Sequence, residues 1–74
     1  MKTEYEYLIF VEVPNPGKKT RIFNCTTKNG GGTLGVVKWF GNWRQYCYFP
    51  SIQATYSGGC LIDIADFMKQ LKIK

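Results

Sequence analysis

Up to residue 56, turn-forming clusters cut this sequence into pieces too short for anything but strands. Pro14-Asn15-Pro16-Gly17, Asn29-Gly30-Gly31-Gly32, Gly41-Asn42 and Pro50 leave four runs between them, at residues 5–13, 20–27, 34–40 and 44–49. The first alternates, with Tyr5, Tyr7, Ile9, Val11 and Val13 on one face. Glu6, Leu8, Phe10 and Glu12, a mixed set, take the other. The remaining runs are rich in the β-branched and aromatic residues that fit a pleated sheet. Residues 51–56 add a short extended piece.

At Ser57 the period changes. Ser57 suits an N-cap, and Cys60, Ile64, Phe67, Met68 and Leu71 then recur at helical spacing. Asp63 and Asp66 fall on the polar side near the helix start, and Lys69, Lys72 and Lys74 near its end, where the helix dipole favours each sign. The order β-β-β-β-α predicts an α+β fold in one domain over 1–74. It is a four-stranded antiparallel β-sheet, a meander, with one C-terminal α-helix packed on one face. The other face stays open. Aromatic residues occur at both strand parities, so that face is expected to bind a partner, a second copy of the chain, or both.

A chain of 74 residues buries only about 60% of its unfolded surface, and small domains often gain stability by dimerising. Cys25, Cys47 and Cys60 are odd in number and irregularly spaced, and the chain has no histidine. That pattern fits neither a disulfide framework nor a zinc site, and points to free thiols in a reducing compartment. The N-terminus does not read as a signal peptide, and the longest apolar run, residues 7–11, is too short to span a bilayer. A soluble cytoplasmic protein without a membrane partner is expected.

The absence of histidine also removes the usual general base near neutral pH. No acidic residue is placed to complete a metal site with Asp63 and Asp66, and the glycines at 30–32 lack the Lys-Ser/Thr of a phosphate-binding loop. The expectation is a binding protein with no enzymatic activity and no cofactor.

Residues 38–49 hold six of the twelve aromatic rings, both tryptophans included, together with Lys38 and Arg44. Rings that stack bases beside cations that attract phosphates suit nucleic acid, and the net charge of +5 favours acidic partners. The candidate surface is Lys38, Trp39, Trp43, Arg44, Tyr46 and Tyr48, supported by Lys18, Lys19 and Arg21. The same aromatic and Arg side chains could equally anchor a protein interface, so a protein target stays open.

Gly35-Val36-Val37-Lys38-Trp39-Phe40, followed after five residues by Tyr46-Cys47-Tyr48, resembles the nucleic-acid-binding signature of cold-shock domains. That resemblance implies rings on the surface of an OB-type barrel, with Lys38, Trp39, Phe40, Tyr46 and Tyr48 carrying the binding. A longer pattern is similar to small uncharacterised proteins of bacteriophages and prophages. It runs Leu34-Gly35-x-x-Lys38-Trp39-Phe40-Gly41-x-Trp43-Arg44-Gln45-Tyr46-Cys47-Tyr48-Phe49-Pro50, then Cys60-Leu61-x-Asp63-Ile64-Ala65-x-Phe67. This second resemblance implies an accessory role in a host bacterial cell, either in DNA metabolism or as an anti-CRISPR or anti-restriction inhibitor of a host defence factor. The element order is also similar to that of single-strand-binding transcriptional coactivators, whose ββββα subunits form homodimers.

Overall fold

A computed structural model of the chain describes residues 1–71. Strands β1 (Leu8–Val13), β2 (Ile22–Thr27), β3 (Thr33–Phe40) and β4 (Gln45–Pro50) are followed by helix α1 (Gly58–Lys69). The strands form one antiparallel sheet in the order β1-β2-β3-β4, the α+β meander that the turn spacing predicts.

The turns have local chemical causes. Between β1 and β2, Pro16 presets its own φ, and Gly17 takes a φ of 76°. Lys18 N–H then closes the turn on the Asn15 carbonyl at 3.2 Å. Asn15 Nδ2 donates to the Thr20 carbonyl at 3.0 Å and carries the chain into β2. Between β2 and β3, Gly30 and Gly32 both have positive φ, and the Thr27 hydroxyl accepts from Gly31 N–H at 2.6 Å.

The first strand begins later than its alternation suggests. Tyr5 N–H donates to the Leu8 carbonyl at 2.8 Å and turns the chain back on itself. Glu4 bridges Ile9, and Phe10 N–H reaches the Thr3 carbonyl at 2.8 Å, so residues 3 and 4 run along the outer edge of β1. This reversal buries Tyr5, whose hydroxyl donates to Asp66 on α1 at 2.8 Å.

The core lies between the sheet and α1. Leu8, Phe10, Phe23, Cys25 and Val37 from the strands meet Ile64, Phe67 and Leu71. Phe67 stacks on Phe10 at 4.0 Å between centroids and meets Phe23 edge-on at 4.9 Å. In β1, therefore, the mixed parity turns inward and the uniformly apolar Ile9, Val11 and Val13 stay uncovered. Glu12 shares the inner parity but sits at the strand end. Arg21 grips it there with two hydrogen bonds, of 2.8 and 3.0 Å.

Helix α1 starts as predicted, with the Ser57 hydroxyl accepting from Cys60 N–H at 3.2 Å. Its first turn contains no acidic residue: Asp63 and Asp66 lie further along, and Asp66 serves Tyr5 rather than the helix dipole. Lys69 does occupy the last turn, while Lys72 and Lys74 lie outside the described residues. Residues 51–56 form no strand. Pro50 ends β4, and Ala54 N–H closes a turn on the Ser51 carbonyl at 3.3 Å. The three cysteines are free, with Cys25 buried. Among the described residues no helix is long and apolar enough to cross a membrane.

Candidate nucleic-acid interface

The β3–β4 hairpin carries most of the candidate residues and distributes them by strand parity. Pairing of Val37 with Tyr48, Trp39 with Tyr46, and Lys38 with Cys47 fixes which side chains share a face. Trp39, Tyr46 and Tyr48 project toward the side that α1 covers. Lys38, Phe40 and Phe49 project to the open side. The candidates read as one surface thus fall on two.

On the helix side, Trp39 and Tyr46 pack edge to face at 5.5 Å, with Trp39 still 40% exposed. The Tyr46 hydroxyl accepts from Arg21 N–H at 3.0 Å, tying the ring to the start of β2. Tyr48 lies deeper and is committed to the fold. Its ring crosses β3 at Gly35, where a Cβ would stand 2.5 Å from its oxygen. Its hydroxyl donates at 2.8 Å to Tyr56, which donates in turn to the Leu34 carbonyl at 2.5 Å. Burial pushes the Tyr48 phenol well above the usual tyrosine range, and the bond to Tyr56 adds to the shift. Tyr48, half-buried, is thus tied to the fold through both its ring and its hydroxyl.

Arg44 does not begin β4, as its place in the sequence suggests. Gly41 to Arg44 form a four-residue turn, closed by Trp43 N–H on the Phe40 carbonyl at 3.1 Å and Arg44 N–H on the Gly41 carbonyl at 3.3 Å. Arg44 ends this turn with a φ of 54°, and it is the non-glycine residue of positive φ among those described. The left-handed region presses Cβ against the next carbonyl, at a cost of about 1–2 kcal/mol for a residue with a side chain.

That backbone places Arg44 beside a cleft of about 780 Å³ between the C-terminal half of α1 and the turn end of β3 and β4. Lys19, Trp39, Tyr46, Met68 and Lys69 line it with Arg44. Among the described residues lining the cleft the charged ones are Lys19, Arg44 and Lys69, all cations, and none is acidic. Lys69, read from the sequence only as a helix-end cation, belongs to this group. So does Met68, one residue before it on the half-buried side of α1. Lys18 and Arg21 lie apart, in a shallower hollow with Glu12. Arg21 is already engaged there, and its hydrogen bond holds the Glu12 carboxyl below the ordinary range.

The open side has its own aromatic group. Phe40 meets Phe49 at 5.9 Å and Trp43 at 5.2 Å, both edge to face, and Lys38 Nζ sits 4.8 Å from the Phe49 centroid. Trp43 is 66% exposed. The sheet is open, without the barrel that the cold-shock motif implies, and strand alternation puts Trp39 and Phe40 on opposite sides of it.

No family model matches the chain, and no solved structure matches it. The uncharacterised 9.3 kDa protein of Acholeplasma phage L2 is 39% identical over 66 residues, covering 89% of this chain and 85% of that one. With that identity over most of both sequences, the chain belongs to the family of small proteins that includes this phage protein.

Proposed function

We propose that this is a phage-type accessory protein that binds single-stranded nucleic acid in the cytoplasm of an infected bacterium, by contact rather than catalysis. The observation that carries the reading is the cleft, where three cations surround two aromatic rings with no acid between them. Lys19, Arg44 and Lys69 supply charge for phosphates, and the half-exposed Trp39 supplies a face for a base. A base can stack on Trp39 only when it is free of its own neighbours, which favours a single strand over a duplex.

The test is tryptophan emission titrated with short single-stranded and duplex oligonucleotides, using Trp43→Phe so that Trp39 reports alone. Saturable quenching by single strands is expected. Its affinity should fall with salt at a logarithmic slope of about −2, since each of three phosphate contacts on a single strand contributes about −0.7. Arg44→Ala should flatten that slope by about 0.7. A folded protein whose emission ignores every oligonucleotide would sink the reading.

A second reading has its own observation. The Trp43, Phe40 and Phe49 group beside Lys38 resembles the aromatic centre of a protein interface, which suits an inhibitor of a host defence factor.

A further inference from the structure

The face of the sheet away from α1 is largely apolar, with Asn24, Thr26, Lys38 and Gln45 as its polar strand residues. Ile9, Val11 and Val13 from β1, Ile22 from β2, Val36 and Phe40 from β3, and Cys47 and Phe49 from β4 share it by parity and pairing. None of these is buried within the chain. A sheet face that meets water is normally mostly polar, and on this one apolar residues outnumber polar ones. We propose that this face packs against the same face of a second copy, giving a two-fold dimer of stacked sheets.

Charge and self-complementarity favour that occupant, and the area suffices for a weak contact. Lys38 is the charged strand residue on the face, so an acidic protein or a nucleic acid would gain little from it electrostatically. Its stem can lie along Phe49 while the ammonium reaches the rim. Asn24 sits in the cross-strand row Val11-Asn24-Val36-Phe49, and its side chain makes no hydrogen bond among the described residues. Across a two-fold axis an amide can donate to, and accept from, its own counterpart, which supplies the self-complementarity of an isologous contact.

Four strands about 4.8 Å apart and six to eight residues long present roughly 400–500 Å² per copy. The pair then buries roughly 800–1,000 Å², close to the floor of about 1,000 Å² for a specific interface. The dimer is accordingly expected to be a weak one. Stacking the sheets turns both helices outward, and with them both basic clefts.

Sedimentation of the free protein across micromolar to millimolar concentration tests this without nucleic acid, so it does not depend on the cleft. A monomer–dimer equilibrium is expected that holds or tightens as salt rises, because salt screens the repulsion between two chains of +5. Nucleic-acid binding should respond to salt in the opposite direction. Val36→Lys and Val11→Lys should each weaken dimerisation at least tenfold while retaining the circular dichroism of the parent. Lys38→Met, which needs no repair of the fold, should strengthen it several-fold. A monomer at every concentration overturns the proposal and returns the face to the host-protein reading. A dimer indifferent to Val36→Lys, Val11→Lys and Lys38→Met overturns it equally, since the contact would then lie elsewhere.

Discussion

Arg44 holds a backbone conformation that glycine would hold without strain, which makes its side chain a candidate for a role beyond folding. Arg44 lines the cleft together with Lys19 and Lys69, and on the proposed reading it completes the set of cations. Arg44→Gly should therefore move stability and binding in opposite directions. Chemical denaturation should show a gain of about 1 kcal/mol, from relief of the left-handed strain, while oligonucleotide affinity falls. If stability fell instead, the residue would be holding the turn rather than serving a ligand. Nothing in the local sequence discloses this conformation. Gly41-Asn42 has the chemistry of a two-residue turn, and only the register of Phe40 with Gln45 shows that four residues intervene.

Among the elements, the β3–β4 hairpin shows best how far sequence reasoning reaches. Turn chemistry and periodicity are local, and they place all four strands, the helix and its Ser57 cap close to where they lie. The direction in which each strand faces is not local. In β3, Val36, Lys38 and Phe40 form one parity, and Val37 and Trp39 the other. With aromatic residues on both, hydrophobicity cannot say which side the helix will take. Tyr48 settles it, because its ring needs the space that Gly35 leaves and its hydroxyl needs Tyr56. Gly35→Ala tests that packing. The added methyl would collide with the Tyr48 oxygen and with the Phe49 carbonyl, 2.5 and 2.7 Å away. A loss of about 1–3 kcal/mol is expected in urea denaturation, the range for overpacking a close contact. An unchanged midpoint would mean that the ring moves aside freely. The early start predicted for β1 failed for a related reason, since the Tyr5 ring is drawn inward by Asp66, far away in sequence.

For the molecule as a whole, alkaline pH is the condition under which this core should fail. Burial raises the Tyr5 phenol to about 12, and its hydrogen bond to Asp66 raises it further within that figure. Burial pushes Tyr48 and the Cys25 thiol in the same direction. In each case the folded state favours the proton. The stabilisation is complete below the unfolded phenol value of about 10 and is lost as pH climbs through the folded value. Tyrosinate absorbance followed with near-ultraviolet circular dichroism should show part of the phenol signal appearing only as tertiary structure disappears, above about pH 10. Full ionisation with the fold intact would contradict the assigned burial. Tyr5→Phe should remove part of this alkaline sensitivity while sacrificing the bond to Asp66. The same N-terminal segment reaches the helix at a second point. The Gln70 amide accepts from Lys2 N–H and donates to the Lys2 carbonyl, both at 2.7 Å. An affinity tag fused ahead of Met1 would consequently pull on the end of α1 that borders the cleft, and could blunt the activity it was added to measure. The Gly30–Gly32 turn, at the opposite end of β3, is the better place for a label or a surface attachment.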